Sequence, residues 1–281
     1  MRFSDLDFIF LSYKEPRKEL FWAELQRVVP RARRVDGVPG FLDAFRKCAE
    51  LSQTEHFVMI DGDTRLLDSF DPDMELPPLN NTFVLTWASR NTINGLTYGN
   101  GSVKLWPKRR LLEMTRDDGF RRASGYFIDD IQYLRQPGVF AETSPNGSEE
   151  QAFTYGFRES LRFCVEGGLH RESARFESVK ALGGGRHQML QTLCGVGSDV
   201  VNGIWANIGA VEAIRNTLDR GPHSIIGDYD WLTSAFHKAL KTYNKNPGQQ
   251  CRKKIEEINA ETDLNLFWLQ PAESLAFKER L

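Results

Sequence analysis

Apolar and polar positions along the first sixty residues alternate between short solid runs and helical stripes. Phe8-Ile9-Phe10-Leu11 is a short apolar run, preceded by acidic residues and followed by Ser12-Tyr13-Lys14, the pattern of a buried strand. Pro16 then opens a helical spacing of Leu20, Trp22, Leu25 and Val28, which Pro30 closes. Arg33-Arg34-Val35 predicts a short strand that stops at Asp36-Gly37. Residues 41–51 predict a second helix behind Gly40, and Phe57-Val58-Met59-Ile60 a third strand. Strand, helix, strand, helix, strand is the signature of a parallel α/β layer, because parallel strands need crossover helices. Ligands in such layers sit beyond the carboxyl ends of the strands. That singles out Ser12 and Tyr13, Asp36, and Asp61 with Asp63.

The pattern then changes. Residues 71–80 are Pro-rich and loop-like, residues 82–87 predict a strand, and residues 91–107 are dense in Gly and Asn. Residues 148–163 predict a helix with Ser148 as its cap ahead of Glu149, Glu150 and Gln151. Gly183-Gly184-Gly185 breaks the chain, and residues 199–215 and 230–243 predict further helices. No internal repeat or clean linker stands out. One domain over 1–281 is expected, with 1–107 as its ligand-binding half and 108–281 as a helical half.

Composition narrows the class. The 281 residues carry 36 Lys and Arg against 38 Asp and Glu, a formal net charge of −2. That balance excludes a uniformly basic nucleic-acid coat and an acidic disordered tail, but not a local basic groove. The longest apolar runs fall far short of the ~20 residues of a membrane span. Acidic residues interrupt the start of the chain before any signal-like apolar stretch, and Cys48, Cys164, Cys194 and Cys251 form no CxxC pair. A cytoplasmic protein with reduced, mostly buried thiols and no membrane partner is the expectation.

Asp61-Gly62-Asp63 carries the sharpest chemistry. Two carboxylates one residue apart at a strand end can hold a divalent cation and leave positions for phosphate oxygens. Asp5-x-Asp7, Asp71-x-Asp73 and Asp228-x-Asp230 share the spacing, but they precede a strand, flank a loop proline and start a helix. Solvated turn carboxylates are the plain alternative at residues 61 and 63. Two enzyme classes place Asp-x-Asp at a strand end, the haloacid-dehalogenase-like phosphatases and the GT-A glycosyltransferases. The phosphatase pattern fits poorly: Arg65 stands where it has Thr or Val, Gly227-Asp228 is followed by Asp230 at the wrong spacing, and the pair ends the third strand instead of the first.

The chain resembles the GT-A nucleotide-sugar glycosyltransferases, and more closely a phage-type set of them. The resemblance is carried by Thr54-Glu55-His56-Phe57 running into Asp61-Gly62-Asp63, by the segment from Asn94 to Pro107, and by the segment from Gly197 to Ala206. It implies a Rossmannoid mixed sheet flanked by helices, with a helical C-terminal part. It implies Mn2+ or Mg2+ on Asp61 and Asp63, neutralising the diphosphate of a UDP-sugar donor. Asp36 would accept the uracil N3–H, with an Asp-Gly turn carboxylate as the alternative, and Ser12 and Tyr13 would line the same pocket. The Asn94–Pro107 segment would lie beside the donor sugar, with Lys104 meeting a phosphate, the acceptor, or only solvent. An inverting reaction needs a general base; Asp199 is preferred, with Glu150 and Glu149 behind it, each equally readable as a helix-start carboxylate. His187, His223 and His237 are available to complete a metal shell.

The resemblance also implies an acceptor, a 5-hydroxymethylpyrimidine base in DNA inside a phage-infected bacterial cell. Basic clusters at Arg27, Arg31, Arg33 and Arg34, at residues 108–110, at Arg121-Arg122 and at residues 252–254 would follow a phosphate backbone if they share a face. Trp87, Tyr98 and Trp106 would stack on an extruded base. Solvated charge and core aromatics are the alternatives; a polysaccharide, lipid-linked or protein acceptor is the competing assignment, with a non-catalytic nucleic-acid or nucleotide-binding module behind it.

Overall fold

The computed structural model describes residues 1–116, 126–127, 131–164, 185–219, 221 and 224–281. The expected opening is present: β1 (Asp7–Ser12), α1 (Lys18–Val28), β2 (Arg33–Asp36), α2 (Phe41–Leu51) and β3 (His56–Asp61). The chain continues with β4 (Thr64–Leu66), β5 (Phe83–Asn91), β6 (Thr97–Pro107), the short α3 (Lys108–Leu112), a small β7–β8 pair (Thr115–Arg116 with Tyr126–Phe127) and β9 (Gln132–Thr143). Helices follow: α4 (Glu149–Phe163), α5 (Arg186–Gly195), α6 (Gly203–Leu218), α7 (Tyr229–Thr242), α8 (Pro247–Glu261) and α9 (Pro271–Lys278).

One mixed seven-stranded sheet runs in the order β2-β1-β3-β6-β5-β9-β4. The pairs β2–β1, β1–β3 and β5–β9 are parallel, while β3–β6, β6–β5 and β9–β4 are antiparallel. Strand alternation sends residues to two different cores. Phe8, Phe10, Val58, Ile60, Leu85, Trp87, Val103 and Leu105 pack with Phe21 and Leu25 of α1. Ile9, Phe57, Met59, Val84 and Trp106 pack with Phe45, Cys48 and Ala49 of α2. The fold is therefore mixed α/β with helices on both faces of the sheet, each buried large side chain contributing about 1.5–3 kcal/mol.

The Gly- and Asn-rich segment supplies a strand: residues 97–107 form β6, paired on both sides near the middle of the sheet. Two compact units can be told apart: Met1–Thr92, Thr97–Arg116 and Tyr126–Ser144 form the first, Ile93–Leu96 and the described residues of Pro145–Leu281 the second. The first unit extends to Ser144 because β9 supplies it with two strand pairings.

The second unit is helical. Its centre is α6, buried almost all round and crossing α4 at very close range. Gly156 of α4 and Gly209 of α6 make the crossing possible. A Cβ on Gly156 would lie 1.9 Å from the Ala206 carbonyl oxygen, and one on Gly209 2.1 Å from that of Phe153. Ser148 caps α4 as expected, its hydroxyl accepting the Gln151 N–H at 3.1 Å. All four cysteines are free thiols and buried. No described helix is long and apolar enough to cross a membrane.

Candidate functional site

The parallel strands β2, β1 and β3 end together: Ser12 lies opposite Asp36, and Leu11 opposite Asp61. Apolar residues fill the strand middles, and polar ones begin at this edge, where burial can no longer be satisfied by packing alone. Asp36 is already engaged there. Ser12 Oγ donates to its Oδ1 at 2.7 Å and Lys18 Nζ at 2.6 Å, with Arg34 at 3.4 Å. Partial burial opposes its ionisation, but the bonds from Lys18 and Ser12 and the charges of Arg34 and Lys18 outweigh it and hold its carboxyl below the usual range. Asp36 thus stands at the expected strand end, its carboxylate shared with Ser12, Lys18 and Arg34 of its own chain. Tyr13 is half-buried beside it, its carbonyl accepting Lys18 Nζ at 2.8 Å.

Asp61-Gly62-Asp63 makes the turn from β3 into β4. Gly62 is obligatory for a spatial reason: a Cβ there would lie 2.8 Å from Glu15 Oε2 and 2.8 Å from Ser12 Cβ. Glu15 is pinned from behind, its Oε2 accepting the Tyr13 N–H at 2.6 Å. The Asp63 carbonyl accepts the Ser144 N–H at 2.8 Å, tying the turn to the end of β9. Burial, then the charges of Asp61 and Glu15, push the Asp63 carboxyl up to about 7. Part of Asp63 still reaches solvent, so burial of the carboxyl end is what governs its titration. Asp61 is half-buried, and its charge adds to burial in pushing the Cys48 thiol up to about 12.

Lys104 pairs in register with Met59 on β3, two residues before Asp61, so Lys104 and Asp61 leave the same face of the sheet on neighbouring strands. Its Nζ lies 5.7 Å over the Phe45 ring of α2. Lys104 is half-buried within β6, so it is a strand lysine but not one that faces open solvent. Glu15 was missed by sequence reasoning. The available signal was its position three residues beyond the end of β1, at the edge where ligands gather.

The remaining sequence candidates belong to the second unit. Glu150, in the first turn of α4, accepts the Thr233 hydroxyl at 2.6 Å, and Glu149 is exposed. Asp199 has both oxygens occupied, Oδ1 by the Ser274 hydroxyl at 2.6 Å and Oδ2 by Lys278. It precedes α6, which begins at Gly203, not Asp199. His187 bonds the Leu264 carbonyl oxygen at 2.6 Å, and His237 lies on α7 against Phe236. His223 lies outside the described residues. Among the described residues no three His, Cys, Asp or Glu side chains form a metal-holding group. Asp61 and Asp63 nonetheless fit a hard cation chemically, since Mg2+ is commonly held by one or two carboxylates completed by water and substrate phosphates.

The acceptor-side expectations fare differently. Trp87, Trp106 and Tyr98 are core residues, 2%, 1% and 8% exposed, so they are not positioned to stack on an extruded base. The basic clusters largely serve their own chain. Arg33 pairs with Asp7, Arg34 with Glu19, Arg109 and Arg110 with Glu113, Arg252 with Glu256 and Lys254 with Glu257, while Lys108 donates to the Ser52 carbonyl oxygen. Arg121 and Arg122 lie outside the described residues. No protein-family model matches the chain, and no curated protein matches it in sequence.

Proposed function

We propose that the protein is a divalent-metal-dependent glycosyltransferase of the GT-A type, using a nucleotide-sugar donor such as a UDP-sugar. The observation that carries this reading is the Asp61-Gly62-Asp63 turn at the end of β3, pressed against Glu15 and Ser12, with an Asp63 carboxyl raised by burial and, after it, by neighbouring negative charge. Asp61 and Asp63 would hold the metal, whose chemistry when bound is to neutralise the leaving diphosphate. The order of strands supports the reading, with the pair at the end of the third of three parallel strands and the antiparallel β6 beside it. Ser12, at the end of β1, and Tyr13 after it would line the nucleotide pocket. Lys104, on the face that Asp61 shares, would add a positive charge near the phosphates.

The acceptor divides into two readings. A hydroxymethylpyrimidine base in DNA rests on the resemblance alone. A polysaccharide, lipid-linked or protein acceptor is favoured by the burial of Trp87, Tyr98 and Trp106 and by the internal pairing of the basic clusters.

The donor site is tested by thermal unfolding with Mn2+ and UDP. Wild type should be stabilised by the two together more than by either alone, and Asp61→Asn and Asp63→Asn should lose that gain. Equal stabilisation in wild type and both variants would refute the site. Nucleoside mass spectrometry of hydroxymethylated DNA incubated with common nucleotide sugars decides the acceptor: a hexose or pentose mass shift selects DNA, and sugar-nucleotide hydrolysis without that shift selects the other class.

A further inference from the structure

The helix α9 is attached to its unit largely through polar contacts that centre on one carboxylate. Of its residues only Ser274 is buried, and Leu275 is 50% exposed. None of its side chains belongs to the apolar core built around α4 and α6 among the described residues. Its apolar attachment is the meeting of Phe277 with Phe267, ring centroids 6.1 Å apart.

The polar attachment is denser. Ser274 Oγ donates to Asp199 Oδ1 at 2.6 Å and accepts the Gly197 N–H at 2.8 Å. Lys278 Nζ pairs with Asp199 Oδ2 and donates to the Ile93 carbonyl oxygen at 3.4 Å. Just upstream, the Ser198 hydroxyl donates to the Leu269 carbonyl oxygen at 2.7 Å, and the Leu269 N–H to that of Gly195 at 2.9 Å. The Asp199 and Lys278 side chains are 10% and 11% exposed, so theirs is not a solvent-screened surface pair. Removing one partner of such a pair strands the other charge. A helix held this way, with little apolar burial, belongs to the low end of a protein's range of local stabilities.

We propose that α9 is a releasable strap keyed to Asp199. Docked, it occupies both oxygens of Asp199 and pins the loop of residues 197–203. Undocked, it frees that carboxylate and the Gly197 N–H without disturbing the α4–α6 core, so Asp199 is an anchor in one state and an open carboxylate in the other. The device does not depend on the donor site or on the reaction assigned to it.

Hydrogen exchange read by mass spectrometry on the full chain tests this, using Asp199→Asn and, as a variant that keeps its aliphatic stem, Lys278→Met. Both should speed exchange in peptides covering residues 272–281 and 197–203 by about ten-fold or more, while peptides of α4 and α6 stay at wild-type rates. Unchanged protection of 272–281 in both variants would overturn the proposal. So would an equal loss of protection in α4 and α6, which would make Asp199 a support of the whole unit and not the key of a strap.

Discussion

Asp63 makes stability depend on pH in a direction opposite to most aspartates. Its unfolded carboxyl titrates near 3.8, and burial with the Asp61 and Glu15 charges brings the folded one up to about 7. The native state therefore binds this proton more tightly than the unfolded state does. The sign follows: the contribution is most favourable below about 4, is lost as pH rises, and is fully adverse above about 7, by on the order of 4 kcal/mol. Asp63→Asn should raise the unfolding temperature of the metal-free protein at pH 8 and flatten its rise between pH 8 and pH 5. Thermal scans across that range would show it. A lower unfolding temperature at pH 8 would mean that contacts of the ionised carboxylate, such as the Thr64 hydroxyl, outweigh the repulsion. Residue-level reading of the sequence found Asp61 and Asp63 because they end an apolar run. It missed Glu15, for which nearness to the end of β1 was the one local signal and whose place against Gly62 is set by packing between separate segments, and it missed that Lys18 and Arg34 already hold Asp36.

At the scale of elements, the α4–α6 crossing is among the tightest features of the second unit. A methyl group on Gly156 would fall 1.9 Å from a backbone oxygen, which cannot move aside as a flexible side chain can. Gly156→Ala should therefore destabilise the unit by about 3 kcal/mol or more, beyond the usual cost of overpacking and against the ordinary helix preference for Ala. The midpoint of urea unfolding, followed by helical circular dichroism, would register it. A neutral or stabilising effect would show that the two helices slide apart at little cost. The elements most legible in the sequence were those with strong local signals: β1 to β3, α1, α2 and the Ser148-capped α4. β6 was hidden because Gly and Asn discourage strands locally, and pairing on both sides overrides that preference. β9 was hidden by Pro137-Gly138, which reads as a turn. In the sheet the register passes from Trp87 opposite Gln136 to Ala88 opposite Val139, so these two residues are left out of the pairing as a bulge in a continuing strand.

For the whole molecule, the near-zero net charge now has a local account. Many of the cations that suggested a nucleic-acid surface are neutralised by carboxylates a turn away or on an adjacent element. The fold class was legible at the level of a mixed α/β layer. The two-unit division was not, because it depends on where β9 pairs and not on any linker composition. The thiols report on each unit separately, with Cys48 in the first and Cys164, Cys194 and Cys251 in the second. Burial raises the Cys48 and Cys164 thiols to about 12, so neither accessibility nor thiolate character favours reaction. A thiol-specific reagent should leave all four unmodified in native buffer and label each only as its own unit opens in urea. Rapid native labelling of any of them would contradict the packing described.

The position of β9 in the sheet bears on how the chain reaches this state. Among the described residues β9 is the partner of β4 and the neighbour of β5, yet residues 67–131 lie between β4 and β9 along the chain. While the polypeptide is being synthesised, β1, β2 and β3 can pair early, but the turn bearing Asp61 and Asp63 stays untethered until residue 144 has emerged and the Ser144 N–H can reach the Asp63 carbonyl. Such non-local closure slows folding. The carboxylate turn is thus among the last parts of its unit to be fixed, and an exposed β5 edge is the hazard during that interval.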